Sequence, residues 1–248
     1  MTSEKPWYQT LFKDLRPLFN QVTPKVTNQQ VRYLIKRLRL TPGMSFFDCP
    51  CGIGRISIPM AKQGIKVVGI DLCGEYLEEL NAKAMKAGLK IETHHTDMRR
   101  IDYANRFDAA GNLWTSFGYF ESEHENLLVL KKIFRALKPG GRFCLHLINR
   151  DFIIAHYTET DWQELEGVLS FEKRKFDYAT SINRAVWSFY KNGILSRHEV
   201  NLRMYSYHEL IAMFKQVGFV EIEGFGSEKD APIGRNNLSN WVFGTKPK

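Results

Sequence analysis

Two carboxylates set around a glycine-rich loop are the first residues in this chain whose types and spacing could do chemistry. The run Phe46-Phe47-Asp48-Cys-Pro-Cys-Gly52-Ile-Gly54 reads as a short strand that ends on an acid and passes into a tight loop. Gly52 and Gly54 lack a Cβ, so their backbone can come close to a ligand or adopt positive φ. Ile56, Ile58, Met60 and Ala61 then lead into a helix of about two turns. Val67, Val68, Gly69 and Ile70 form an apolar run of the kind buried on both faces of a sheet, and Asp71 ends it. An acid at the tip of the second strand, opposite a glycine loop at the tip of the first, can accept hydrogen bonds from both ribose hydroxyls. The arrangement points to a bound nucleoside.

The elements that must position these residues alternate along the chain. After the helix at 75–87, strand candidates lie at 90–95, 107–113 and 142–148, with a helix at 123–137 between the last two. Five strand–helix alternations are the signature of a doubly wound parallel sheet. From 162 to 205 the period changes to that of antiparallel strands, at 169–176, 182–190 and 194–205, and Asn192-Gly193 is a hairpin turn pair. Helical period returns at 207–217, closed by Gly218, and two last strands are read at 219–225 and 241–245. The fold expected is α/β, a Rossmann-like seven-stranded doubly wound sheet with a three-stranded antiparallel insert. One domain spans 1–248: an N-terminal helical arm (1–40), a ligand-binding core (41–150), the insert as a substrate lid (151–205), and a closing helix and hairpin (206–248). In the arm, Thr27 is a candidate cap for a second helix. Trp7, Tyr8, Leu11, Phe12, Leu15, Leu18 and Phe19 form an aromatic-rich stripe that Pro17 interrupts, suited to a lid or to a packing arm.

The totals narrow the class. The 248 residues carry a net charge of +8, but Lys and Arg are scattered. A solvated basic surface is therefore preferred to a nucleic-acid footprint. No apolar run reaches the roughly 18 residues that span a bilayer, and the N-terminus lacks a signal-peptide layout. A cytoplasmic protein without membrane partners is expected. The four cysteines at 49, 51, 73 and 144 form no CxxC pair, so buried thiols are expected and no metal site.

Asp48-Cys-Pro-Cys-Gly-Ile-Gly54, Asp71, Thr96-Asp-Met98, Phe107-Asp108 and Leu137-Lys-Pro-Gly-Gly141, taken in order, resemble the motifs of class I S-adenosylmethionine-dependent methyltransferases. The resemblance covers about 40–150. The runs Asn112-Leu-Trp-Thr-Ser-Phe-Gly-Tyr-Phe120 and Leu147-Ile-Asn149 resemble a bacterial and archaeal subgroup with a β insert. Pro50 stands where the family usually has glycine, and it donates no N–H.

The resemblance implies S-adenosylmethionine as cofactor, held by Tyr8, Asp48, Cys49, Pro50, Gly52, Gly54, Asp71, Leu72, Asp97, Met98, Asn112 and Leu113. Asp48 would meet the ammonium group, directly or through water, Asp71 the ribose diol, and Asp97 the adenine amino group beside Met98. Methyl transfer needs mainly alignment and desolvation. If the acceptor must lose a proton first, Tyr119 and His146 are the leading candidates for the base, with His94, His95 and Tyr8 behind them. Trp114 and Phe117 could stack on a planar acceptor, and Asn149 and Arg150 could orient an acidic one.

The function expected is methyl transfer to an O or N atom of a small molecule. The alternatives are an RNA or protein methyltransferase, or a non-catalytic S-adenosylmethionine-binding protein. A dinucleotide dehydrogenase is weaker, since Gly52-Ile-Gly54-Arg-Ile-Ser57 only imitates GxGxxG. The oligomeric state is left open.

Overall fold

The computed structural model describes residues 11–12, 14–17 and 21–248. Helix α1 (Pro24–Leu38) starts at Thr23, whose hydroxyl accepts from the Val26 amide at 3.3 Å, and Pro24 occupies its first position. The cap is therefore Thr23 and not Thr27, because the proline lets the helix begin one turn earlier.

The core follows as β1 (Ser45–Asp48), α2 (Ser57–Lys62), β2 (Lys66–Asp71), α3 (Gly74–Lys86), β3 (Glu92–His95), a 3-10 turn at Met98–Arg100, β4 (Phe107–Asn112), α4 (Glu123–Ala136) and β5 (Leu137–Ile148). Strand β5 takes in the Lys-Pro-Gly-Gly turn, since the Gly140 amide and the Gly141 carbonyl both pair with Lys246. After α5 (Arg150–Ala155) come β6 (Thr160–Leu165), β7 (Val168–Asp177), β8 (Ile182–Lys191) and β9 (Ile194–Arg203). Helix α6 (Tyr207–Val217), β10 (Val220–Phe225) and β11 (Ser239–Thr245) close the chain.

Among the described residues, seven strands form one sheet in the order β10-β11-β5-β4-β1-β2-β3. The run from β5 to β3 is parallel, and β11 is antiparallel to both its neighbours. The order reverses between β1 and β4, and the carboxyl ends of strands beside such a switch point form a crevice. Both faces are covered: Phe47 and Val68 face the core under α4 and α6, while Phe46 and Val67 face the core under α1 and α2. This is why β2 reads as an unbroken apolar run.

The insert is a separate antiparallel sheet, β6-β7-β8-β9. It has four strands where the sequence suggested three. The additional strand, β6, is polar apart from an exposed Trp162 and Leu165. Its turn uses Glu166 and Gly167, both at positive φ, in place of an Asn-Gly pair. The inner face of this sheet holds Val168, Phe189 and Val200 against Leu11 of the arm. The Asp14 carboxylate accepts from the Ser196 hydroxyl at 2.6 Å and lies 2.7 Å from His198 Nε2. On the other side, Arg16 grips Glu79 of α3 with two nitrogens, and the Tyr76 hydroxyl donates to the Phe12 carbonyl.

Candidate functional site

Asp48 and Asp71 close adjacent parallel strands, so both point off the same edge of the sheet. The Asp71 carboxylate accepts the Gly52 amide on one oxygen and the Cys73 amide on the other, each at 2.8 Å. It thus anchors the glycine loop while its oxygens, which face the crevice, keep acceptor capacity for a ligand. The loop is fastened again by the Cys51 amide on the Ile70 carbonyl at 2.8 Å. The Cys49–Pro50 peptide is cis, and the loop turns through Gly52 and Gly54 at φ of +53° and +82°.

The two glycines serve different ends. A Cβ on Gly52 would meet nothing within 4 Å, whereas one on Gly54 would lie 2.7 Å from Leu80. Gly52 leaves room at the loop surface, and Gly54 lets the loop pack on α3.

Asp48 is buried and accepts the Ser57 hydroxyl at 2.6 Å. Burial pushes its carboxyl up to about 7, against the pull of Ser57 and of the Arg55 charge. Asp97 caps the 3-10 turn, and Arg99 claims both its oxygens through the amide and the guanidinium. Burial works against that carboxylate, but Arg99 holds it below its ordinary range. The same guanidinium reaches Glu125 at 2.6 Å and lies over the Phe120 ring.

Beyond β4 the chain makes an unusual turn. Trp114 and Thr115 are consecutive non-glycine residues at φ of +63° and +58°. They are held by β5: His146 Nδ1 accepts the Trp114 amide, the His146 carbonyl accepts the Thr115 amide, and the Thr115 hydroxyl accepts the Ile148 amide. Burial, with help from the Arg55 charge, drives the His146 imidazole down to about 3, so it is neutral at ordinary pH. Burial also raises the Tyr119 phenol to about 12. Its ring centroid is 6.4 Å from that of Phe12.

These elements enclose a crevice of about 390 Å3, within the size range of small-molecule sites. Of the residues singled out from the sequence, Asp48, Pro50, Gly52, Asp71, Leu72, Met98, Leu113, Trp114 and Tyr119 line it. Cys49, Gly54, Asp97 and Asn112 lie close behind the wall. Asn112 is fully buried, with its Nδ2 near Met98 Sδ at 3.9 Å and its Oδ1 without a partner among the described residues. His146 is also behind the wall, stacked on Trp241. Tyr8 lies outside the described residues.

The other acceptor-side candidates are placed elsewhere. Phe117 is in the core, tilted against Tyr205. Asn149 caps α5 and donates to the Gly234 and Asn237 carbonyls. Arg150 opens onto a different cavity and pairs with Asp151 and Glu209. Sequence reasoning missed Arg55 and Arg99, which both line the crevice. Each directly follows a recognised motif, one after Gly54 and the other after Met98, and that adjacency was the available signal.

Residues 46–141 match the methyltransferase domain family. Among curated proteins, the chain is 30% identical over 118 residues to an S-adenosyl-L-methionine-dependent Diels-Alderase of Talaromyces variabilis, covering 46% of this chain and 39% of that protein. It is 27% identical over 138 residues to a ubiquinone biosynthesis O-methyltransferase of Aliivibrio fischeri, covering 56% of each. The chain thus spans between about two fifths and half of the length of the first curated relatives it matches. Among solved structures, an S-adenosylmethionine-dependent methyltransferase from Clostridium acetobutylicum superposes with a TM-score of 0.80 at 15% identity, over 98% of this chain and 100% of the other.

Residues 46–141 form a methyltransferase domain, and the chain has the fold of S-adenosylmethionine-dependent methyltransferases. S-adenosylmethionine is the cofactor of that family, and the crevice fits it. The remaining acceptor capacity of Asp71 suits a ribose diol, and the uncrowded Gly52 leaves space for a ligand to lie on the loop.

Proposed function

We propose that the protein transfers a methyl group from S-adenosylmethionine to an oxygen or nitrogen atom of a small-molecule acceptor. The observation that carries this reading is the crevice beside the glycine loop, walled on its far side by Phe12, Trp114 and Tyr119. A crevice of this size and lining admits a small acceptor. One curated relative is named for O-methylation in ubiquinone biosynthesis, which suits the same reading.

The bound sulfonium supplies an activated methyl: the bond to the acceptor forms as the S–CH3 bond breaks, its electron pair staying on sulfur. The protein's part is to hold and align. Asp71 receives the ribose hydroxyls. Asp48, ionised by the approach of a cation, faces the ammonium group. Asp97 takes the adenine amino group after releasing Arg99, whose other nitrogen already rests on Glu125. Tyr119 and His146 are neutral at ordinary pH and poor proton acceptors there. The acceptor therefore attacks through its own lone pair, placed by Trp114 and Tyr119, and its O–H or N–H proton passes to solvent once the new bond has formed. The insert and arm complete the enclosure as a lid.

Titration calorimetry with S-adenosylhomocysteine tests the cofactor site, and the absence of heat at millimolar ligand would refute it. A second reading, binding of S-adenosylmethionine without methyl transfer, draws on the Diels-Alderase relative. Release of S-adenosylhomocysteine with any acceptor excludes it.

A further inference from the structure

Arg55 is a cation inside the crevice wall that meets no carboxylate within ion-pairing distance among the described residues. Its Nη1 donates to Gln30 Oε1 at 2.7 Å and reaches Thr27 Oγ1 at 3.5 Å, both neutral groups. The indole of Trp114 covers the guanidinium, 4.4 Å from ring centroid to Cζ. Nε and Nη2 have no acceptor among the described residues, and neither is sealed from solvent. Burial draws the group down to about 10, with the Asp48 charge opposing. Asp48 gives poor compensation, because it is itself pushed up toward neutrality. Withdrawing a guanidinium from water is expensive unless a counter-charge meets it. Among the described residues no carboxylate pairs with it directly, which leaves its free edge open to an anionic ligand.

The position of Arg55 indicates which ligand. In the sheet order β4-β1-β2-β3, the ribose acid Asp71 ends β2 and the Asp97–Arg99 pair follows β3. Arg55 leans the opposite way, to Trp114 beyond β4 and to α1. That is the side where Trp114, Ser116 and Tyr119 line the crevice beyond the nucleoside acids. Arg150, the cation that the sequence offered for an acidic acceptor, faces another cavity and is already paired.

We propose that the acceptor carries an anionic group, a carboxylate or similar oxyanion, which the free edge of Arg55 receives while Trp114 covers its face. This deepens the methyltransferase reading and rests on it. The guanidinium fork suits such a group, since two parallel N–H donors match two oxygens. Gln30 fixes the fork by holding its third nitrogen.

The cofactor's own carboxylate is the other possible source of the anion, and the test separates the two. S-adenosylhomocysteine and 5′-methylthioadenosine, which lacks the amino-acid tail, are titrated into the unaltered protein and into Arg55→Gln. Benzoate and benzamide are then titrated into each protein saturated with S-adenosylhomocysteine. The expected result is that S-adenosylhomocysteine binds both proteins within about threefold. Benzoate binds the unaltered complex at least tenfold more tightly than benzamide, and Arg55→Gln removes that preference.

The proposal is overturned if benzoate shows no preference in the unaltered protein, a measurement that stands even if Arg55→Gln fails to fold. Survival of the preference in Arg55→Gln also overturns it. So does a tenfold loss of S-adenosylhomocysteine with 5′-methylthioadenosine unchanged, which would assign the guanidinium to the cofactor tail. Failure of S-adenosylhomocysteine to bind the unaltered protein would overturn the methyltransferase reading as well, and so is told apart from loss of the benzoate preference alone.

Discussion

His146 Nδ1 accepts the backbone N–H of Trp114 at 3.3 Å, which places the imidazole proton on Nε2 and ties the tip of β5 to the loop after β4. The ring is stacked on Trp241 with centroids 3.9 Å apart. The residue therefore serves as a neutral acceptor that holds two left-handed residues in place, each costing about 1–2 kcal/mol of backbone strain.

If the acceptor atom is what matters, replacements divide by whether they keep it. His146→Asn can present an oxygen near the Nδ1 position, and His146→Leu cannot. Urea denaturation should show His146→Leu destabilised by about 3 kcal/mol and His146→Asn by markedly less, since a buried N–H left without a partner costs about 1–3 kcal/mol. Equal losses would show that stacking alone explains the residue.

Acid sensitivity follows from two buried groups with opposite signs. The His146 imidazole is lowered to about 3 when folded, so unfolded chain binds its proton first and stability falls as pH drops from about 6.5 toward 3. Asp48 is raised to about 7, so the folded state binds the proton first and stability rises as pH drops from about 7 toward 4. Asp48→Asn removes only the second contribution. Relative to the unaltered protein it should lose stability progressively between pH 6.5 and 4.5, by up to about 1.4 kcal/mol per pH unit. Urea midpoints at the two pH values check this, and a constant difference between the proteins would count against a raised Asp48.

A cation placed against Asp48 must favour its ionised form. Binding of S-adenosylhomocysteine at pH 6 should therefore release a proton, seen as a binding heat that differs between phosphate and Bis-Tris buffers, both of which buffer at that pH. Identical heats in both would remove Asp48 from the ammonium site.

The two loop glycines should respond unequally to alanine. Gly52→Ala keeps its space and pays mainly for positive φ, about 1–2 kcal/mol. Gly54→Ala adds a Cβ 2.7 Å from Leu80 Cγ and should lower the melting temperature further. A second change, Leu80→Ala, should narrow that gap if the clash is its source.

Asp71→Asn keeps size but turns one acceptor into a donor facing a backbone N–H, either that of Gly52 or that of Cys73. The loop loses an anchor and the ribose an acceptor. S-adenosylhomocysteine affinity should fall at least tenfold by calorimetry, and unchanged affinity would displace Asp71 from the site.

Much of the core could be read from the chain because its determinants are local. Asp48, Gly52, Gly54 and Asp71 lie within 24 residues, and strand–helix alternation with both faces buried leaves a continuous apolar signature in β2. Strand β6 escaped notice because its neighbours in β7, and not its own side chains, define it. The acceptor side was less legible for the same reason. Arg55 acquires its surroundings from Gln30 and Trp114, 25 residues before it and 59 after, and no local pattern records that meeting. Asn149 and Arg150 carry suitable chemistry at a strand tip, yet the turn into α5 commits the first to capping and the second to Glu209.

The arm over the crevice resembles a plank resting on two footings. Arg16 and the Phe12 carbonyl stand on α3, Asp14 on β9, and Phe12 spans the gap as part of the crevice wall. Among the described residues this short segment joins the insert sheet to α3, so a displacement of either is felt at the Phe12 wall.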